Sequence, residues 1–271
     1  MDRLIEEKHE QLKEIFEAMG RVLVAYSGGV DSTLLLRVAK DTLGDRNVLA
    51  ITALSPLYPE REVAGVKKII QNMGARHLFI KSNELEIAEF KKNPPDRCYY
   101  CKRKLFGELL NLAKKEEISF IVEGSTLDDE KDHRPGKMAV QELGIRSPLK
   151  EALFTKVEVR ELSKELGLST WDKPSFACLA SRFPYGEEIT PEGLRMVSEA
   201  EDFFFGLGFR QVRVRHYQNL ARIEILNEEM GRLMKGSLRE KVASRLKRIG
   251  YNYVTLDLQG FRSGSMNEVL G

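Results

Sequence analysis

The chain has 271 residues, 42% hydrophobic and 31% charged, with a net charge of +2. That length and apolar share suffice for one large domain or two modest ones with their own cores. The near balance of charge makes no case for nucleic acid, and no apolar run approaches the roughly 20 residues of a membrane span.

The N-terminal stretch MDRLIEEKHEQLKEIF is charged and amphipathic rather than a signal peptide, so a cytoplasmic location is expected. Leu4, Ile5, Leu12, Ile15, Phe16 and Met19 recur at helical spacing, with Gly20 as a stop. A short apolar strand, Val22 to Ala25, ends abruptly in Ser27-Gly28-Gly29-Val30-Asp31-Ser32, and a helical pattern to about Leu43 begins at once. A buried strand, a tight glycine turn and a helix start point backbone N–H groups and the positive end of a helix dipole at one small volume. That volume suits an anion, most naturally phosphate. Gly28 and Gly29 supply unusual dihedrals and close approach, and Asp31 or Ser32 can cap the helix. The loop is neither a Walker A motif, since it lacks Gly-Lys-Ser/Thr, nor G-x-G-x-x-G.

Further strands are expected at Val48 to Thr52, His77 to Ile80 and Ile118 to Val122, with a short one near Ile145. Helices are expected at Glu60 to Met73 and Lys102 to Lys115. Strands alternating with helices of this length predict an α/β fold with a doubly wound parallel sheet, whose ligands sit at the carboxyl ends of the strands. From Asp172 to Pro191 the pattern turns irregular and proline-rich, as a linker would. A helix (Pro191 to Leu207), two strands (Phe209 to His216 and Leu220 to Ile225), a helical region (Glu228 to Ile249) and a strand (Tyr253 to Leu258) predict a small α+β second domain. The division expected is 1–186 and 187–271.

The chain has three cysteines, an odd number that argues against a disulfide framework. Cys98 and Cys101 form Cys-x-x-Cys just before an expected helix, and Cys178 lies far away in ACLASR. Arg97, Lys102, Arg103 and Arg182 nearby would lower thiol pKa values. The Cys-x-x-Cys taken alone also fits a redox pair or inert thiols, and zinc with His133 as fourth ligand is a rival. Three thiolates are one short of a closed zinc site and suit an iron–sulfur cluster with one open iron.

Strand 4 ends near Gly124, so Asp128 and Asp129 project at the same sheet edge as the glycine loop. With Asp31 they are candidates to hold Mg²⁺ against nucleotide phosphates. In the second domain Arg213 and Arg215 alternate with Val212 and Val214 and so share a strand face, as Arg222 and Glu224 do on the next strand. Paired guanidinium groups suit phosphate or carboxylate.

The hexapeptide SGGVDS after an apolar strand resembles the PP-loop of the ATP pyrophosphatase superfamily, which holds pyrophosphate leaving ATP. Together with RCYYCKRKLF, EGSTLDDEKDHRPG, RSPL and KPSFACLASRFPYGEEIT, it resembles the LarE family of sulfur transferases over nearly the whole chain. The resemblance implies ATP and Mg²⁺ as cofactors, with nucleotide contacts at Ala25, Ser27, Gly28, Gly29, Val30, Asp31, Ser32, Ala53, Leu54, Gly124 and Asp128. It implies an acceptor, pyridinium-3,5-biscarboxylic acid mononucleotide, that meets Ser181, Arg182, Glu201, Arg213, Arg215, Glu224 and Arg262. Catalytic roles fall to Cys178, Asp31, Arg213 and Arg215. The product would feed nickel-pincer nucleotide synthesis alongside LarB and LarC, and the assembly would be a hexamer built from trimers.

Family members with only the cysteine matching Cys178 give up its sulfur once per polypeptide. Those that also carry the Cys-x-x-Cys hold a 4Fe–4S cluster on three cysteines, so the resemblance makes Cys98, Cys101 and Cys178 cluster ligands. Two other readings stay open: another PP-loop adenylating enzyme, for tRNA thiolation or for amidation of the NAD or GMP synthetase type, or a non-catalytic nucleotide-gated iron–sulfur carrier.

Overall fold

Asp2 begins helix α1 (Arg3–Met19), its carboxylate accepting from the Leu4 N–H, and Gly20 at φ 68° stops it. In the computed structural model, which describes residues 2–130 and 135–270, the chain divides into two units. The first comprises residues 1–84 and 96–176, the second residues 85–95 and 177–271. After α1 come β1 (Val22–Ala25), α2 (Val30–Leu43), β2 (Val48–Leu54), α3 (Glu60–Met73) and β3 (His77–Lys81). The short α4 (Ala88–Lys91) belongs to the second unit. The first unit continues through α5 (Arg97–Lys115), β4 (Phe120–Val122), α6 (Gly136–Glu142), α7 (Pro148–Glu151) and α8 (Lys156–Glu165).

Its sheet is parallel throughout, in the order β3-β2-β1-β4. Successive residues of one strand enter opposite cores. Val22, Val24, Val48 and Ala50 pack with Phe16 of α1, Leu34 and Leu35 of α2 and Leu162 of α8. Leu23, Leu49, Ile51 and Ile121 pack with Phe106 and Leu109 of α5 and Val140 of α6. The sheet is therefore covered on both faces, as the doubly wound α/β expectation required. Strand order reverses beside β1, because β2 and β3 extend one way and β4 lies on its other side. Such a switch point opens a crevice at the carboxyl ends of β1 and β4.

Two sequence expectations for this unit need correction, and the structure adds to the expected helices. The strand near Ile145 is a single parallel bridge, Val122 to Arg146. The helix expected from Lys102 begins at Arg97, so Cys98 and Cys101 lie inside its first turns rather than before it. Helix α8 is an addition to the expected elements, although Thr155 and Glu158 cap it reciprocally, a signature legible in the sequence.

The second unit contains α9 (Pro191–Gly206), β5 (Val212–Tyr217), β6 (Leu220–Ile225), α10 (Asn227–Leu233), α11 (Gly236–Ile249) and β7 (Tyr253–Leu256). Its sheet is mixed: β5 and β6 are antiparallel, β6 and β7 parallel. The helical region expected from Glu228 to Ile249 is broken in two at Gly236, whose φ of 50° departs from the right-handed helix. Phe204, Phe209, Val212, Val214, Ile223, Leu246 and Tyr251 form its core. Among the described residues no helix is long and apolar enough to cross a membrane.

Candidate functional site

The loop after β1 sits at the switch point of the sheet. Gly28 takes φ 72°, and a Cβ there would lie 2.5 Å from Val66 Cγ2 of α3, so glycine is required twice over. Gly29, not Asp31 or Ser32, is the N-cap of α2, and no side chain caps it. The Ser32 hydroxyl turns back instead, accepting from the Ser27 N–H at 3.3 Å and lying 3.0 Å from Ser27 Oγ. The hydroxyls thus brace the turn from within, and the amino end of α2 keeps its N–H groups for an anion. Ala25 ends β1, and Ala53 and Leu54 end the neighbouring β2, all three half-buried. Gly124 closes the site from β4. A Cβ at Gly124 would stand 3.0 Å from the Ser32 amide nitrogen and 3.3 Å from Asp31 Cβ.

The three aspartates have distinct surroundings. Asp31 pairs with the Lys156 ammonium, and Asp129 Oδ2 lies 3.8 Å from the same nitrogen. Asp129 is buried and accepts from the Thr126 N–H at 2.8 Å, while Asp128 accepts from the backbone N–H of Lys156 at 2.6 Å. Burial pushes the Asp31 carboxyl above its ordinary range, and Lys156 opposes that rise. Sequence reasoning missed Lys156, and it missed Lys173, whose ammonium donates to the Gly28 carbonyl at 3.1 Å and to Glu62 Oε2 at 2.9 Å.

Cys98 is exposed and Cys101 half-exposed, one turn apart near the amino end of α5. Cys178, half-exposed, belongs to the second unit, and no disulfide joins the three. Among the described residues no group of three His, Cys, Asp or Glu side chains stands ready to hold a metal ion. The thiols are the right donors in kind for a soft metal. His133 lies outside the described residues.

The second unit gathers buried charge. Arg182 and Glu201 of α9 form a two-pronged pair at 2.8 and 2.9 Å, with neither side chain exposed. Arg215 pairs in the same way with Glu224 of β6, at 2.9 and 2.6 Å. The fork of Arg215 is thus filled by a carboxylate of the chain itself. Arg213 stands beside them, its guanidinium 5.2 Å from the Phe261 ring centroid and donating to the Val212 carbonyl at 2.9 Å. Burial, with Arg182 and Arg215 adjacent, lowers Arg213 to about 10. Burial would raise the Glu201 carboxyl, yet Arg182, Arg213 and the Val214 N–H outweigh it and hold it below its ordinary range. Arg222 extends the cluster, 3.0 Å from Glu224 Oε1 and 3.5 Å from Asp257 Oδ2.

The Cys178 loop is tied to this cluster. Arg182 Nη1 donates to the carbonyls of Ala177 and Cys178, at 2.7 and 3.3 Å, and to Ser181 Oγ at 2.7 Å. Arg215 Nη1 donates to the Ser181 carbonyl at 2.9 Å. The Arg262 guanidinium pairs with Glu268, and its carbonyl accepts from the N–H of Ser265, whose hydroxyl accepts from Arg215 at 2.9 Å.

A parallel sheet with SGGVDS at its switch point defines an ATP-using PP-loop domain, and the NAD synthase family model matches residues 4–97. Pyridinium-3,5-bisthiocarboxylic acid mononucleotide synthase of Lactiplantibacillus plantarum is 39% identical over 97% of this chain and 95% of its own length. An uncharacterized protein of Synechocystis sp. is 44% identical over 98% and 99%, and a glutamine-hydrolysing GMP synthase component of Archaeoglobus fulgidus 25% over 74% and 67%. The chain belongs to the LarE family of ATP-dependent sulfurtransferases within the PP-loop superfamily.

Proposed function

We propose that this chain adenylates the carboxylates of pyridinium-3,5-biscarboxylic acid mononucleotide and converts them to thiocarboxylates for nickel-pincer nucleotide synthesis. The observation that carries the reading is the coupling of Cys178 to the buried arginines, through the Arg182 bonds to its carbonyl and to Ser181. A sulfur-bearing loop and an anion-accepting cluster are built as one piece. Identity over nearly the full length to the Lactiplantibacillus plantarum protein supports the same substrate class.

The chemistry follows from the parts. A carboxylate resists attack because oxide is a poor leaving group. Its oxygen attacks the α-phosphorus of ATP, the bond to the β-phosphate oxygen breaks, and pyrophosphate departs onto the loop amides of Gly28 to Ser32. Asp31, with Asp128 or Asp129, would hold Mg²⁺, which neutralises the phosphate charge. Ala25, Ala53, Leu54 and Gly124 lie where the nucleoside would rest. Ser181, Arg182, Glu201, Arg213, Arg215, Glu224 and Arg262 form the acceptor's surroundings, with Arg213 as the group that meets a carboxylate or phosphate. A sulfur nucleophile then attacks the acyl carbon and AMP leaves with the electron pair.

The finer reading makes Cys98, Cys101 and Cys178 ligands of three irons in a 4Fe–4S cluster, whose open fourth iron would hold an additional sulfide as the transferable sulfur. The donor types support it. LarB and LarC would act in the same synthesis, and a homo-hexamer is the expected assembly.

Incubation of the chain with ATP, Mg²⁺ and the carboxylated pyridinium mononucleotide should release AMP and pyrophosphate only when that acceptor is present. ADP as the main product would overturn the reading. Pyrophosphate release driven by ammonia with an NAD or GMP precursor would assign the chain to amidation instead.

A further inference from the structure

The SGGVDS loop contains no cationic side chain, yet a loop that releases pyrophosphate must offset several negative charges. Two ammonium groups from distant sequence reach it. Lys156, the first residue of α8, stands on the Asp31 carboxylate, and Lys173 donates to the Gly28 carbonyl at 3.1 Å. One helix face organises both. Lys156, Arg160 and Lys164 recur every fourth residue along α8 and so share a face. Arg160 donates to the carbonyls of Trp171 at 2.7 Å and of Lys173 at 2.9 Å, and the Lys164 ammonium lies 4.9 Å from the Trp171 ring centroid. The same face that delivers Lys156 directly pins the turn that carries Lys173.

Resting on the PP-loop reading above, we propose that Lys156 and Lys173 are the pyrophosphate-binding cations of this site, and that Arg160 is the positioning residue for Lys173. The Lys173 ammonium sits on the Gly28 carbonyl and that of Lys156 on the Asp31 side chain, so both border the loop whose amides would hold the anion. Each ends a flexible four-carbon stem and reaches such an anion by rotation alone, as a compact point charge does. Neither is sealed in the core: the Lys156 side chain is 36% exposed and that of Lys173 23%. Arg160 is held by two backbone carbonyls, so its fork sets the turn and leaves phosphate contact to the lysines.

Calorimetric titration of the full chain with inorganic pyrophosphate in Mg²⁺, and separately with adenosine, tests this. Lys156→Met and Lys173→Met should each weaken pyrophosphate binding by about tenfold or more, the loss expected for a charge-assisted hydrogen bond. Adenosine affinity should stay within about twofold, and Lys156→Arg and Lys173→Arg should keep most of the pyrophosphate affinity, as charge rather than shape is needed. Arg160→Lys should reproduce part of the Lys173→Met loss and add nothing to it in the double variant, the non-additivity of groups acting as one unit. Wild-type pyrophosphate affinity in both Met variants, or equal loss of pyrophosphate and adenosine, would overturn the assignment. A wild-type chain that binds adenosine but no pyrophosphate would overturn the PP-loop reading itself and the lysine roles with it.

Discussion

Arg182 and Glu201 face each other with both prongs engaged and no solvent on either side chain, Nε 2.8 Å from Oε1 and Nη2 2.9 Å from Oε2. Glu201 Oε1 also accepts the Val214 N–H at 3.0 Å, so this one carboxylate ties α9, β5 and the Cys178 loop together. Glu201→Gln should lower unfolding stability by about 3–5 kcal/mol, since it leaves a buried guanidinium uncompensated. Urea unfolding at neutral pH measures it. Because Glu201 is held below its ordinary 4.5, its stabilisation is present above that pH and fades as pH falls through the depressed value. The gap between wild type and Glu201→Gln should therefore narrow in acid, and a constant gap would contradict the ion pair.

Arg213 behaves oppositely. Its folded value of about 10 lies below the ordinary guanidinium range, so at neutral pH its charge works against folding. Arg213→Met should leave the unfolding midpoint of the ligand-free chain equal or higher while abolishing stabilisation by the carboxylated mononucleotide. Thermal shift with and without that nucleotide reads both effects. A large loss of stability without ligand would mean that Arg213 is a structural residue.

Gly28 offers a packing test. Gly28→Ala should cost about 1–2 kcal/mol from the left-handed backbone alone, with a further loss from the 2.5 Å approach to Val66 Cγ2. In a Val66→Ala background the second part should vanish and the first remain. Equal costs in both backgrounds would show that α3 does not press on the loop.

The thiols divide two sulfur routes. After anaerobic reconstitution, Cys98→Ala, Cys101→Ala and Cys178→Ala should each remove the visible absorption and the bound iron and sulfide. If Cys98→Ala and Cys101→Ala leave sulfur transfer intact and only Cys178→Ala abolishes it, then Cys178 gives its own sulfur and the cluster reading falls.

The sequence by itself determined what is local. Strand β1 from Val22 to Ala25, the glycine turn that follows, α3 from Glu60 to Met73 and β6 from Leu220 to Ile225 lie where periodicity and glycine punctuation put them, because side-chain alternation and backbone freedom act between near neighbours. The Cys-x-x-Cys was visible, yet its place inside α5 was not, since a helix start depends on how the preceding chain packs. Tertiary structure alone decided the charges around the site. Lys156 meets Asp31 across 125 positions and Lys173 meets Gly28 across 145, contacts that no pattern of spacing encodes. Period two put Arg213 and Arg215 on one face but could not say what covers it. The chain buries that face, fills the fork of Arg215 with Glu224 and leaves Arg213 charged beside two other pairs. Burial is a sum over the whole fold, and for these groups it is burial that sets the chemistry.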